Sequence, residues 1–311
     1  MALNKRLHIW LFCLIMLASC SAVDDASTTE VTAKQICFTA GIDNMSTRSA
    51  TNLLQSQFPI SSRINLYINE VTGGNPSVIY NQPIEYVVTD REGSMIPIIE
   101  SIPHYPTNGN NVAIRGFYPS TAISSDGTFT TKTNQVSSVG YQGSDLMYSS
   151  LIGRNTEGVL NLTFRHLNSK ITYHLTSSDP NVILNGSRVS LLNVKPTAIV
   201  NIAQGTIGTA YGDNSEPIVI SNDGSKDGSA VILPQPIQAN TKFIEIVLYT
   251  GEIVYGVMPT TYTFQPGTSY IFNIDVKVDR VASVLNINSI EVTDWVDAFI
   301  SPQDIEADRI E

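Results

Sequence analysis

Apolar and polar residues alternate along most of this chain, and that period of two limits its fold more than any other feature. It is clear at Ile36, Phe38, Ala40 and Ile42, and at Ile64, Leu66 and Ile68. It returns at Leu160, Leu162 and Phe164, and at Ile171, Tyr173 and Leu175. Late examples are Ile244, Ile246 and Leu248, then Tyr270, Phe272, Ile274 and Val276. Side chains two apart share one face of a strand, so such a pattern predicts strands with one buried face. Turn-forming clusters separate them: Thr72-Gly73-Gly74-Asn75, Ser124-Ser125-Asp126-Gly127 and Asn222-Asp223-Gly224-Ser225. Their Gly, Asn and Asp residues tolerate the backbone angles that hairpins require. No stretch after residue 20 predicts an amphipathic helix of three turns or more. The expected class is therefore all-β, with many short strands arranged as β-sandwiches.

The N-terminus follows a different rule. Lys5 and Arg6 precede an apolar stretch from Leu7 to Leu17, followed by Ala18, Ser19 and Cys20. A positive start, a short apolar core and a small-residue cleavage site describe an export signal. The apolar stretch is too short to cross a bilayer, which takes about 20 residues. Leu17-Ala18-Ser19-Cys20 resembles the bacterial lipobox, which implies cleavage before Cys20 and lipidation of that cysteine. Residues 1–19 are then a leader, and Cys13 leaves with it. Residues 20–33 are acidic and lack large apolar groups, as expected of a solvated tether. Within it, Asp24 and Asp25 resemble a surface-export signal of lipoproteins from Gram-negative anaerobes.

Charge and composition exclude several function classes. The leader carries two basic residues and no acidic one, so the mature chain keeps 16 basic and 28 acidic residues, a net of −12. Nucleic-acid binding needs the opposite sign, and charge-driven adhesion to anionic lipid is disfavoured. With Cys20 lipidated, Cys37 alone remains; its apolar surroundings predict a small buried thiol. The mature histidines are His104, His166 and His174. The last two would lie about 26 Å apart along an extended strand, and no metal-ligand pattern surrounds them, so structural or surface roles are expected. There is no nucleophile elbow, phosphate loop or dinucleotide fingerprint. Gly205, Gly208 and Gly212 read as a flexible loop. Asp223 and Asp227 lack the spacing and closing glutamate of a calcium loop, so a hairpin turn is expected. The Asn44, Asn161 and Asn185 sequons carry no expected role. No catalytic residue, cofactor or metal is expected. Thirteen tyrosines could build a sugar-binding platform, and Trp295, at the end of a strand pattern, is expected to pack rather than to stack on a ligand.

Several segments, taken in order, resemble one family. Ile36 to Asn52, ICFTAGIDNMSTRSATN, resembles the opening strand and arginine-containing loop of fimbrillin-like proteins from gut and oral anaerobes. Asp145-Leu-Met-Tyr148 followed by Leu162-Thr-Phe-Arg-His-Leu-Asn-Ser-Lys-Ile171 is similar to their mid-chain signature. Phe264-Gln-Pro-Gly-Thr-Ser-Tyr270 resembles a later turn-strand, and Val292-Thr-Asp-Trp295 loosely resembles their closing motif. The resemblance implies two transthyretin-like β-sandwich domains in tandem. The break at Gly153–Gly158 suggests domains at 34–157 and 158–311. The resemblance also implies a lipid-anchored outer-membrane precursor and a pilus subunit that polymerises with other fimbrial subunits and serves adhesion to a host or bacterial surface ligand. In the family, an arginine-specific protease trims the N-terminal segment, and a neighbour's strand fills the vacated groove. The matching position here is Arg48, in a small polar loop suited to proteolysis; Arg63 competes but abuts a strand. Residues 281–300 are the possible donor segment, their broken alternation suggesting two short strands, or they complete their own domain. The alternative function is a surface glycan-binding lipoprotein.

Overall fold

The alternating segments form strands whose apolar faces turn inward. The computed structural model describes residues 34–43, 56–72, 75–78, 82–99, 102–277 and 284–295. The leader, the tether with Cys20, and the loop holding Arg48 lie outside the described residues. Every apolar residue of the six alternating runs is buried. Ile64, Leu66 and Ile68 are representative, at 0%, 0% and 1% exposed. The protein is nearly all β.

The first half builds one sheet from β1 (Cys37–Ile42), β2 (Ser56–Gln57), β3 (Arg63–Thr72), β4 (Asn75–Val78), β5 (Ile84–Val88), β6 (Ser94–Pro97), β7 (Val112–Tyr118), β9 (Met147–Gly153) and β10 (Val159–His166). β8 (Thr128–Thr130) and a short helix, α1 (Ser138–Ser144), lie between β7 and β9. The hydrogen-bonded order runs β10-β9-β7-β3-β5-β6-β1, and β1 pairs back onto β10. The sheet therefore closes on itself. Closure hides the unpaired backbone groups that an open edge would display. The closing contact is parallel and six residues long, from Cys37 opposite Val159 to Ile42 opposite Phe164. Inside the ring sit Ile36, Phe38, Ile64, Leu66, Tyr86, Ile114, Leu162 and Phe164.

The chain changes sheet at Leu167–Asn168. The pattern break at residues 153–158 lies ahead of this point, in the connection between β9 and β10. The second sheet uses β11 (Ser169–Thr176), β12 (Arg188–Leu191), β15 (Ile218–Ser221), β16 (Asp227–Ile232), β18 (Lys242–Val247), β19 (Ile253–Val257), β21 (Thr268–Asp275) and β22 (Val284–Asp294). Its order is β15-β12-β18-β19-β22-β21-β11-β16. Two small sheets complete the fold. One joins β8 to β13 (Thr197–Asn201) and β14 (Thr206–Ile207); the other pairs β17 (Pro236–Ile237) with β20 (Tyr262–Thr263).

The two large sheets meet through a third apolar cluster that includes Phe117, Phe129, Leu146, Tyr148, Leu167, Ala198, Val200 and Leu233. Residues 131–135 of the first half also reach into the second sheet. Val219 of β15 donates its N–H to the Thr133 carbonyl at 2.7 Å, and the Gln135 N–H donates back to Val219 at 2.9 Å. The buried Gln135 amide then bridges to β16, donating to the Val231 carbonyl at 2.8 Å and accepting from the Val231 N–H at 2.7 Å. One residue thus spans the two end strands of the second sheet.

Candidate assembly site

β1 occupies a slot lined on both sides by backbone. β10 runs along one edge; on the other, β6 pairs with Phe38 and Thr39, and β2 pairs with Gly41 and Ile42. The Ala40 N–H donates to the Gly93 carbonyl at 2.9 Å, and the Ile36 N–H donates to the Pro103 carbonyl at 2.8 Å. Gly93 has φ +81°, and a Cβ there would stand 2.2 Å from the Ala40 carbonyl oxygen, so glycine is required for this approach. Inward-facing Phe38 meets Tyr86 edge to face, with ring centroids 5.3 Å apart. Burying Ile36, Phe38 and Ile42 contributes about 1.5–3 kcal/mol each. Just before the strand, the Lys34 Nζ donates to the carbonyls of Asn155 and Glu157, at 3.0 and 2.6 Å. The Tyr105 N–H donates to the Lys34 carbonyl at 2.8 Å. Burial, helped by the nearby Glu157 and Cys37, pushes the Tyr105 hydroxyl pKa up to about 12.

The last described strand, β22, lies in the middle of the second sheet. β22 pairs antiparallel with β21 from Thr268–Asp294 to Ile274–Ile287, and parallel with β19 at residues 284–286. The expected two short strands are one strand with a register shift opposite Asn273/Ile274. An extra residue in a strand moves its alternation from one parity to the other, which is why Leu285 and Ile287 give way to Ile290 and Val292. The strand leads into Trp295, which is 2% exposed. Its ring stacks on His166 at 3.9 Å with a 6° interplanar angle. His166 Nδ1 lies 2.8 Å from Asp145 Oδ1, both side chains buried. Asn168 Nδ2 donates to the Ser144 carbonyl at 2.6 Å, and the Leu167 N–H donates to the Leu146 carbonyl at 2.8 Å. The two pieces of the mid-chain signature are thus each other's partners, and together they join the sheets.

A family model described as fimbrillin-like matches residues 24–295. The chain belongs to the fimbrillin-like family. This fimbrillin-like chain is therefore a fimbrial subunit, a structural and non-enzymatic protein of cell-surface fimbriae that associates with other fimbrial subunits. Its fold is similar to a solved structure from Bacteroides ovatus described as a cell adhesion protein, with TM-score 0.64 and 16% identity, covering 86% of this chain and 99% of the other. A second such structure, from Bacteroides uniformis, gives TM-score 0.61 and 16% identity, covering 84% and 99%. No curated protein sequence matches the chain.

The remaining predicted residues of this fimbrillin-like chain are spread over the surface and core. Cys20 and Arg48 lie outside the described residues. Arg63 begins β3 and pairs with Glu85 at 2.8 Å. Cys37 is half-buried rather than buried, because the alternation that turns Ile36 and Phe38 inward turns residue 37 outward. His104 forms an isolated bridge opposite Gln35. His174 pairs with Asp227 across the β11–β16 ladder. Asp223 caps the β15–β16 turn, accepting from the Ser225 N–H at 3.0 Å and the Ser221 hydroxyl at 2.9 Å, and these bonds lower its pKa. Among the described residues no group of three or more His, Cys, Asp or Glu side chains could hold a metal ion. Tyr211 and Tyr249 are exposed on separate loops, one bridged to Thr197 and the other at the tip joining β18 and β19. Gly205 is packed rather than a loose loop position. Its carbonyl accepts from Arg165 at 2.9 Å, and a Cβ there would meet the Tyr148 ring at 2.0 Å. Neither Gly205 nor Gln135 carried a sequence signal for its role, since each role depends on a partner distant in the chain.

Proposed function

We propose that this fimbrillin-like chain is exported as a lipoprotein, lipidated on Cys20 at the outer membrane, trimmed after Arg48 at the cell surface, and joined to neighbouring subunits by strand exchange in a fimbria that serves adhesion. Its architecture is read as two transthyretin-like β-sandwich units in tandem, meeting where the chain changes sheet. The observation that carries the proposal is the place of β1. Among the described residues it is the one strand that precedes Arg48, so a cut there severs its covalent link to the rest of the fold. What then holds it is a reversible set of backbone bonds, the Lys34 Nζ bonds to Asn155 and Glu157, and three large apolar side chains. Its departure would strip partners from β10 and open an apolar slot, both costly until refilled. A strand from another subunit refills both by β-augmentation. The C-terminal segment, residues 281–300, supplies the candidate donor, with apolar residues alternating at Leu285 and Ile287, again at Ile290 and Val292, and then Val296. The alternative, a surface glycan-binding lipoprotein, needs converging exposed aromatics, and Tyr211 and Tyr249 do not supply them.

The test is the intact mass and N-terminal sequence of the protein taken from its native cell surface, in assembled and unassembled fractions. Assembled material is expected to begin at Ser49, and Arg48→Ala is expected to abolish assembly. Assembled subunits that still begin with lipidated Cys20 would sink the trimming step.

A further inference from the structure

Trp295 follows a strand of the second sheet, yet it stacks on the last residue of a first-sheet strand. His166 ends β10 and presents its ring flat to the indole at 3.9 Å. The imidazole is held by buried Asp145, so this side of the slot is fixed. Lys170 of β11 places its Nζ 5.9 Å from the indole centre, and the Trp295 backbone N–H donates to the Gly267 carbonyl at 3.2 Å. Two side chains thus meet the indole of a residue that lies immediately beyond β22, and its backbone is tied to the turn before β21.

We infer that Trp295 is a clasp that holds the C-terminal strand in its own sheet, and that its unstacking from His166 controls when that strand can pass to another subunit. This rests on the strand-exchange reading given above. In an exchange, ladder hydrogen bonds broken in one sheet are remade in another, so they cancel to first order. The Trp295 contact has no counterpart in the β1 slot, whose inward positions hold Ile36, Phe38, Ala40 and Ile42. It is therefore the interaction that transfer forfeits. The ladder itself is irregular, with its register shift opposite Asn273/Ile274 and only residues 284–286 paired to β19, which leaves the clasp to secure the end.

The experiment compares wild type, Trp295→Ala and the milder Trp295→Phe in the mature chain carrying Cys20→Ser. Hydrogen exchange before trimming reads the clasp. Amides of residues 284–294 are expected to exchange at least tenfold faster in Trp295→Ala and by a smaller factor in Trp295→Phe, with β12 and β18 unchanged. After cleavage at Arg48, light scattering is expected to show assembly several-fold faster in the same order. With the leader gone, Trp295 is the one tryptophan of the chain, and its emission is expected to shift to the red as wild type assembles. Unchanged exchange at 284–294, or acceleration spread over the whole second sheet, overturns the clasp. So does an assembly rate equal to wild type, and in each of these cases strand exchange is left standing. If wild type and both variants stay monomeric after complete trimming, strand exchange itself has failed, and the control proposed for it falls too.

Discussion

Gln135 does with a side chain what neighbouring strands do with backbone. Its amide satisfies both the N–H and the carbonyl of Val231, while its own N–H satisfies Val219. Leucine there would fill the space and leave two buried groups of β16 unpaired, at about 1–3 kcal/mol each. Gln135→Leu is expected to lower stability by about 2–4 kcal/mol in denaturant titration, and a loss under 0.5 kcal/mol would show that the bridge carries no weight. Gly205 makes a different demand. Its φ is +60° and a Cβ would meet the Tyr148 ring, so Gly205→Ala is expected to cost about 1–3 kcal/mol. Gly158→Ala, where nothing lies within 4 Å of the added carbon, serves as the neutral control in the same thermal melts. Tyr105 sets a pH limit. Its hydroxyl pKa is raised from 10.0 to about 12, so the fold prefers the neutral phenol. That preference is fully present below pH 10 and is lost as pH rises toward 12. Tyr105→Phe is expected to move the alkaline unfolding midpoint upward, and an unmoved midpoint would mean that other groups govern it.

Among the elements, β1 and β22 are both taken into the interior of their sheets, and the two ends were unequally legible. The face of β1 could be read residue by residue, because a period of two is local and any strand obeys it. At Cys37 that period outweighs the apolar character of its neighbours and turns the thiol outward. The broken alternation of residues 285–292 was visible too, but it means one strand with an added residue rather than two strands. The slot around β1 was not readable at all. Its walls come from residues as far on as Phe164, and pairings at such separations leave no mark on local composition. Phe38→Ala is expected to destabilise the untrimmed chain by about 3–5 kcal/mol. In polymers built from trimmed subunits the same substitution is expected to leave dissociation by denaturant unchanged, since residue 38 has been removed. Equal destabilisation of both forms would place β1 in the finished fibre.

Across the whole molecule, the all-β class followed from patterning alone, whereas the way the halves are coupled did not. Asp145, His166 and Asn168 stood out as parts of a family signature without showing that they bond to one another, and nothing near Trp295 in sequence names His166 as its partner. Residues 128–135 lie by sequence in the first half and are hydrogen-bonded to strands of the second. This interleaving predicts one cooperative unfolding transition, with circular dichroism and Trp295 emission giving coincident midpoints. Two separated midpoints would mean that the halves unfold independently.

The parallel pairing of β1 with β10 sets a direction as well as a partner. A strand that replaces β1 must run the same way as β10 to reproduce its ladder. Under the proposed strand exchange, every subunit receives in its slot and gives from its C-terminal segment, and successive copies point alike. Such a head-to-tail contact does not close on itself as a two-fold dimer does. The resulting filament has two chemically different ends, an empty slot at one and an unused strand at the other. Under that reading, a subunit that lacks whichever of the two it is asked to supply would end its growth.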